Sequence, residues 1–268
     1  FKFDPNQDFQ LEAIRAVTEL FDGLPPQVTA PALGYEIIPN SPPSTDLNER
    51  FLKTNLEAVQ ARYKVPTDRT LFPELEVDEG MVLEGVGNET HRSPHFTVEM
   101  ETGTGKTYVY LRTMYELYRQ YGFRKFIIVV PSIAIYEGVL KNFQITASHF
   151  RALYDGEYVA PIAYDGAQLS KLRGYATSEL PGCLIMTLDS FNKKSNNLYK
   201  ASEKLPGERR PYQFIQETRP IIILDEPQNM ESEKAKEALR TLHPLFVLRY
   251  SATHRTNPNP VYRLAPFE

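Results

Sequence analysis

Two short segments of this chain carry residue types that can bind phosphate and a divalent cation. Residues 100–107 read Met-Glu-Thr-Gly-Thr-Gly-Lys-Thr, and residues 221–228 read Ile-Ile-Ile-Leu-Asp-Glu-Pro-Gln. Glycine has no side chain that would block the approach of backbone N–H groups to phosphate oxygens. The second segment combines an apolar run, typical of a buried strand, with two adjacent carboxylates. Together the segments predict a site for ATP and Mg²⁺.

The first segment predicts a phosphate-binding loop followed by a helix. Lys106 would contact the β- and γ-phosphates, and the Thr107 hydroxyl would bind Mg²⁺. A helix that begins at about Gly105 would direct the positive end of its dipole at the anion. Met100 stands where such loops usually have their first glycine. The backbone that would surround the phosphates belongs to Thr102, Gly103, Thr104 and Gly105.

The carboxylate pair follows the apolar residues 221–224, which suit a central parallel strand covered on both faces. Ligands of such sheets bind beyond the carboxyl ends of the strands, which is where Asp225 and Glu226 fall. Asp225 would hold Mg²⁺, largely through water, because magnesium retains much of its hydration shell. Glu226 would polarise the attacking water, so the predicted catalytic residues are Glu226, Lys106 and Asp225.

The composition is that of an ordinary globular protein. The 268 residues are 41% hydrophobic and 24% charged, and the net charge of −4 provides no overall basic surface for nucleic acid. Any DNA contact must therefore depend on a local patch. The single cysteine excludes an internal disulfide and fits the reducing cytoplasm, which is the expected location. No apolar run has the length of a membrane span, and the first residues lack a signal-peptide pattern.

Strand and helix patterns alternate in the second part of the chain. Strands are predicted at 95–100, 126–130, 183–187, 221–224 and 246–250, and helices at 107–121, 133–143 and about 231–242. This alternation predicts a parallel, doubly wound sheet. Further upstream, the patterns predict helices at 8–21 and 47–63, a proline-rich break at 22–46 and a hairpin at 77–86.

The ordered motifs resemble the first motor lobe of superfamily-two helicases and translocases. They are a glutamine-bearing N-terminal segment, the phosphate loop, Val-Val-Pro-Ser at 129–132, Thr-Leu-Asp-Ser-Phe-Asn at 187–192, Asp-Glu-Pro-Gln at 225–228 and Tyr-Ser-Ala-Thr-His at 250–254. The details look most like the restriction (Res) subunit of type III restriction-modification enzymes, above all the run Phe-Asp-Pro-Asn-Gln-Asp-Phe-Gln-Leu-Glu-Ala-Ile at 3–14. The resemblance spans nearly the whole chain. It implies an α/β fold with the RecA-like sheet of P-loop NTPases.

The resemblance implies further contacts with the nucleotide. Gln10 matches the glutamine that contacts the adenine edge, and Phe3 is a candidate to stack on the base. Gln228 is a candidate sensor of the γ-phosphate. The implied nucleotide-binding set is therefore Gln10, residues 102–107 and Gln228. A solvent-facing position on its helix is the alternative for Gln10.

The resemblance also implies DNA contacts and a coupling motif. The residues in motifs that touch the nucleic-acid backbone are Pro131, Ser132, Thr187, Asp189 and Ser190. Ser251 and Thr253 match the motif that couples hydrolysis to lobe movement. Short hydroxyl side chains suit phosphate contacts that do not read sequence. For both sets the alternative is turn and capping chemistry at the ends of strands.

The implied protein is a DNA-dependent ATPase that forms part of a type III site-specific deoxyribonuclease. In that family the Res subunit acts on double-stranded DNA together with a modification methyltransferase subunit. Such a motor has a second lobe, whose arginines stabilise transition-state charge, and the subunit has a nuclease domain. Neither is expected here, because the sequence stops at Glu268, shortly after Thr253. The chain is expected to be a fragment that binds ATP but hydrolyses it weakly.

Three parts are implied for the chain. They are an adenine-recognition segment at 1–23, an elaboration with a helix and a β-hairpin at 24–94, and a RecA-like ATP-binding core, the first lobe only, at 95–268. The elaboration could dock a partner, contact DNA or be structural, and the acidic residues Asp78, Glu79 and Glu84 argue against DNA contact.

Two functional alternatives remain. One is the first lobe of another superfamily-two motor, such as a type I restriction motor or a helicase. The other is a non-catalytic module that switches a partner when nucleotide binds. Glu226 argues against the switch, because binding alone does not require a carboxylate that polarises water.

Overall fold

An eight-stranded, mostly parallel sheet lies at the centre of the part of the chain that the structure describes. The structure is a computed structural model, and it describes residues 2–27, 37–40, 47–66, 74–203, 205 and 209–264. The strands are β1 (Val77–Met81), β2 (Thr90–Glu99), β3 (Lys125–Val130), β4 (Ala160–Ala163), β5 (Gly182–Thr187), β6 (Ile221–Asp225), β7 (Phe246–Ser251) and β8 (Pro260–Arg263). The helices are α1 (Asp8–Thr18), α2 (Glu49–Arg62), α3 (Lys106–Tyr121), α4 (Ile133–Leu153), α5 (Leu169–Thr177), α6 (Pro211–Thr218) and α7 (Glu233–Thr241).

The strand order is β1-β2-β7-β6-β3-β5-β4, and β8 also pairs with β2. The strands from β2 to β4 in this order run parallel to one another, which confirms the predicted RecA-like sheet. Every residue of β3, β6 and β7 is buried, because these strands lie in the middle of the sheet. Their long apolar runs are therefore explained by burial on both faces.

Helices cover both faces of the sheet, as a doubly wound fold requires. Successive strand residues point to opposite faces. Ile128 packs in a core with residues of α1, α3 and α4, whereas its neighbour Ile127 packs with residues of α5, α6 and α7. Ile223 and Ile222 divide between the same two cores. Among the described helices, none is long and apolar enough to cross a membrane.

Strand β2 has two halves with different neighbours. Its first half pairs antiparallel with β1, from Val77 opposite Pro94 to Met81 opposite Thr90. Its second half lies between β7 and β8, both parallel to it. The predicted hairpin is thus present, but its second strand lies at 90–94 and not within 77–86. The proposed boundary between residues 94 and 95 falls inside this continuous strand.

Several elements were not predicted from the sequence. They are β4, α5, α6 and β8. Helix α4 also continues to Leu153, beyond the predicted end at residue 143. The predicted first helix is α1 followed by a short 3₁₀ segment, Glu19–Phe21. Part of the predicted break at 22–46 lies outside the described residues.

Asn40 connects the irregular segment 37–40 to the amino end of β3 through hydrogen bonds. Its Nδ2 donates to the carbonyls of Lys125 and Arg219, at 2.8 and 3.1 Å. Its Oδ1 accepts from the backbone N–H groups of Arg124 and Lys125, at 2.8 and 3.0 Å. The side chain is fully buried. One amide therefore satisfies four backbone groups that lie away from water.

We expect Asn40→Ala to lower the free energy of unfolding by about 3 kcal/mol, because buried backbone groups lose their partners. The measurement is urea denaturation followed by circular dichroism. Asn48→Ala is a matched control, since it removes the N-cap bond of 3.0 Å to the N–H of Phe51. A cap is worth about 1 kcal/mol. Equal losses in the two variants would contradict the role assigned to Asn40.

Candidate nucleotide-binding site

The phosphate-loop candidate connects the carboxyl end of β2 to the amino end of α3. Gly105 is the N-cap of α3, so the helix begins where the sequence predicts. Gly103 and Gly105 both have φ of +85°, a conformation that glycine adopts without strain. A Cβ at Gly105 would collide with the Gln10 amide, whereas one at Gly103 would meet no protein atom. The Thr104 hydroxyl donates to the Glu101 carbonyl at 2.6 Å and tightens the loop.

The sheet topology brings the second motif to this loop. Strand β7 separates β2 from β6, and Ser251 at the end of β7 touches both sides. The carbonyl of Ser251 accepts from the Met100 N–H at 3.0 Å, and the carbonyl of Tyr250 accepts from the Glu226 N–H at 3.1 Å. Three neighbouring strand ends therefore place the loop and the carboxylates together.

A cavity of about 560 Å³ opens over this edge of the sheet. This volume lies in the range of small-ligand sites. The residues that line it are Lys2, Phe3, Asp4, Gln7, Gln10, Thr102, Gly103, Gly105, Lys106, Thr107, Tyr108, Ile135, Asn142, Asp225 and Glu226. Most of the predicted ATP and Mg²⁺ residues therefore share one cavity. Of the remaining nucleotide-binding candidates, Thr104 and Gln228 do not line the cavity, but each forms a hydrogen bond with a residue that does.

Lys106 and the two carboxylates form an ion-pair cluster at the cavity wall. The Lys106 Nζ lies 3.6 Å from Asp225 Oδ1 and forms a closer ion pair with Glu226. Burial raises the pKa of Asp225, and Lys106 and Tyr110 oppose that rise. Burial acts in the same direction on Glu226, but hydrogen bonds from Lys106, Gln228 and Ser251 bring the pKa of its carboxyl below its ordinary value. Glu226 is therefore held as a carboxylate.

Glu226 is held by its backbone as well as by its side-chain partners. Its φ and ψ are both 58°, in the left-handed region that costs a residue with a Cβ about 1 kcal/mol. The Gln228 amide donates to Glu226 Oε2 at 2.6 Å. The Ser251 hydroxyl lies 3.0 Å from the same oxygen and 2.8 Å from Gln228 Oε1, and it accepts from the Thr253 N–H at 3.1 Å. Of the predicted coupling residues, Ser251 thus contacts the predicted water-polarising carboxylate, and the Thr253 backbone contacts Ser251.

The N-terminal segment also lines the cavity. Gln10 is buried, and its amide donates to the Thr104 carbonyl at 3.0 Å, so it faces the loop and not the solvent. Phe3 stacks on Tyr108, with ring centroids 5.7 Å apart and an angle of 15° between the planes. Arg112 donates to the Pro5 carbonyl at 2.7 Å and anchors the segment to α3. Tyr108 and Arg112 had not been singled out in the sequence.

The DNA-contact candidates lie farther along the same edge. Val130 and Thr187 are opposite each other at the ends of β3 and β5, so both motifs follow neighbouring strands. The Ser132 hydroxyl caps α4, accepting from the Ile135 N–H at 3.4 Å. The Ser190 hydroxyl donates to the Thr187 carbonyl at 2.6 Å. These contacts are the capping and turn chemistry of the alternative, although Ser132 and Asp189 are exposed.

The donor set fits an adenine nucleotide with Mg²⁺. The cavity offers a lysine, a threonine hydroxyl and a partly neutralised carboxylate, together with an amide and aromatic rings. Oxygen ligands and a single carboxylate are what Mg²⁺ takes beside phosphates. The arrangement can therefore bind a triphosphate, hold a cation against it and orient a water molecule.

Comparison with known proteins agrees with this geometry. A family model described as "Type III restriction enzyme, res subunit" matches residues 6–256. The EcoP15I Res subunit of Escherichia coli is 25% identical over 98% of the chain. The StyLTI Res subunit of Salmonella typhimurium is 33% identical over 58% of it, and the EcoPI Res subunit of Escherichia phage P1 is 30% identical over 66%. The matched regions cover 27%, 18% and 20% of these relatives' own lengths.

Proposed function

The chain belongs to the family of type III restriction enzyme Res subunits, and from this premise we propose that it is the ATP-binding first lobe of a DNA-dependent motor. The observation that carries the proposal is the cavity in which Lys106, Thr107, Asp225 and Glu226 meet. Motif residues that lie more than a hundred positions apart in the sequence converge there.

We assign roles to the side chains from their positions. Lys106 would leave Glu226 to bind phosphate, and Thr107 and Asp225 would hold Mg²⁺. Gln10 and Phe3 would bind adenine. Gln228 would sense the γ-phosphate, and Ser251 and Thr253 would couple hydrolysis to movement of the lobe. Mg²⁺, when bound, would neutralise charge on the phosphates. Glu226 would orient water without needing a raised pKa, because positioning carries much of phosphoryl transfer.

Weak hydrolysis by this chain follows from the lining of the cavity. No arginine is among the lining residues in the described part of the chain. Transition-state charge in such reactions is commonly stabilised by an arginine, which can come from another lobe or protein. We therefore propose that a second lobe completes the site in the full subunit.

The full subunit's partners are also part of the proposal. As the family resemblance implies, they are double-stranded DNA and a modification methyltransferase, in the cytoplasm, and the complete enzyme would cleave DNA. Pro131, Ser132, Thr187, Asp189 and Ser190 are the proposed contacts with the DNA backbone. The elaboration at 24–94 is proposed to be structural, since β2 runs from it into the core and Asn40 and Asp78 bond to core residues.

The test is calorimetric titration of ATP into this chain with and without Mg²⁺. We expect binding that Mg²⁺ strengthens, and Asp225→Ala should make the ATP affinity insensitive to Mg²⁺. Glu233→Ala is a matched control, because Glu233 is exposed and pairs with Lys236 away from the cavity. Unchanged Mg²⁺ dependence in Asp225→Ala would contradict the metal-binding role of Asp225. Turnover of the chain alone at the rate of complete DNA-stimulated motors would contradict the need for a second lobe.

A further inference from the structure

A buried tyrosine that no sequence motif marks lies behind the proposed metal site. Tyr110 is fully buried on α3, and its hydroxyl donates to Asp225 Oδ2 at 2.9 Å. Thr107 lies one helical turn earlier on the same helix. The phenol thus holds the carboxylate that would bind Mg²⁺.

The direction of this hydrogen bond follows from counting protons. Asp225 is a carboxylate that can only accept, so the single phenol proton of Tyr110 is directed to it. Thr107, on the same helix, lines the cavity.

The hydrogen bond from Tyr110 also orients the Asp225 carboxylate. The phenol occupies Oδ2, whereas Oδ1 is the oxygen that lies 3.6 Å from Lys106 Nζ at the cavity wall. Tyr110 is four positions after Lys106 and three after Thr107, which places all three on one face of α3. The hydroxyl is therefore fixed by the same helix that carries the phosphate-loop side chains.

We propose that Tyr110 is a positioning residue for Mg²⁺, acting through its hydroxyl on Asp225. The inference rests on the proposed function, because it needs a metal–nucleotide complex to position. Outer-shell hydrogen bonds fix the orientation of metal ligands, and their removal typically costs about 10–100-fold in metal affinity. The phenol ring has a separate packing role, with its centroid 5.4 Å from that of Tyr250.

The decisive variant is Tyr110→Phe, which keeps the ring and removes the hydroxyl. We expect the Mg²⁺ concentration that half-maximally strengthens ATP binding to rise by about 10-fold or more. ATP affinity measured in EDTA should stay unchanged. The metal is followed directly by electron paramagnetic resonance of Mn²⁺, which should bind the variant–ATP complex more weakly by a similar factor.

Tyr250→Phe is the matched control. Tyr250 is as buried as Tyr110 and packs against it, but its hydroxyl forms no hydrogen bond with the described residues. Its removal should leave the Mg²⁺ midpoint unchanged. A shift of the same size in both variants would show that the effect is loosened packing and would overturn the inference.

A double-mutant cycle with Asp225→Asn tests the route of the effect. Because the hydroxyl acts largely through this carboxylate, Tyr110→Phe should shift the midpoint much less in the Asp225→Asn background than in the unmodified chain. Equal shifts in both backgrounds would overturn the inference. An unchanged midpoint in Tyr110→Phe, beside normal ATP binding, would overturn it and leave the proposed function standing. Absence of ATP binding by the unmodified chain would contradict both the inference and the proposed function.

Discussion

Glu226→Gln should reduce ATP turnover by the full, DNA-stimulated subunit about 100-fold or more, which is the lower end of the range for loss of a group that handles the proton of the nucleophile. ATP binding should stay within about twofold of the unmodified protein, since the charge-assisted phosphate contact of Lys106 is retained. Glutamine has nearly the shape of glutamate, so the variant tests the charge of the side chain. The measurement is steady-state phosphate release beside equilibrium ATP binding.

The large effect is expected because side-chain partners direct the Glu226 carboxylate. Gln228 and Ser251 both contact its Oε2, and these contacts would remain when Lys106 moves to the phosphates. A neutral amide in its place would lose the negative charge and could present an NH₂ group to one of these partners. The left-handed backbone conformation at position 226 is expected to remain in the variant. The glutamine side chain would therefore stay at the same place but have the wrong orientation.

Glu233→Gln is the control for a change of one acidic residue. Glu233 is exposed at the start of α7, with Lys236 as an ion-pair partner at 3.6 Å. Its turnover should equal that of the unmodified subunit. Normal turnover of Glu226→Gln would show that Glu226 neither orients nor activates water, and another group would then have to do so.

The phosphate loop could be placed from sequence because its constraints are local. Gly103 and Gly105 permit a loop of positive φ, and the apolar period of residues 107–121 requires a helix immediately after it. The structure confirms that helix and begins it at Lys106. The strand before Asp225 was equally clear, because its apolar run has no explanation other than burial on both faces.

All four missed elements are short, and three of them contain proline, whereas α5 contains Gly174. Pro161 lies in the four-residue strand β4, Pro260 begins β8 and Pro211 begins α6. Proline is tolerated in edge strands and at the first position of a helix, but in a sequence it indicates a break. Pairing with β5 and β2 holds β4 and β8 in place, and no local pattern reports such pairing.

The length of α4 could have been predicted. Val139, Phe143, Thr146 and Phe150 are buried at helical spacing, so the apolar period continues beyond the predicted end. The position of Tyr110 beside the phosphate-loop side chains could also have been predicted, because positions three and four residues apart share a helix face. The stacking of Phe3 on Tyr108 and the bond from Arg112 to Pro5 could not have been predicted, because they join segments about a hundred residues apart.

Lys106→Ala should weaken ATP binding about 10- to 100-fold, since a hydrogen bond to a charged group contributes about 1.5–3 kcal/mol and each 1.4 kcal/mol is tenfold in affinity. A second effect should bring the loss of ATP affinity towards the upper end of this range. Lys106 lies between Asp225 and Glu226, and without it two carboxylates would face the phosphates with no neutralising ammonium. Mg²⁺ should therefore matter more for ATP binding in the variant than in the unmodified chain.

The measurement is calorimetric titration of ATP·Mg²⁺ into both chains, with thermal unfolding to confirm that each is folded. Lys234→Ala is the matched control, because Lys234 is exposed on α7 and does not line the cavity. Equal affinity of Lys106→Ala and the unmodified chain would show that the phosphates bind elsewhere. Loss confined to Lys106→Ala would locate them on this loop, because both substitutions remove one positive charge and only one removes it from the cavity.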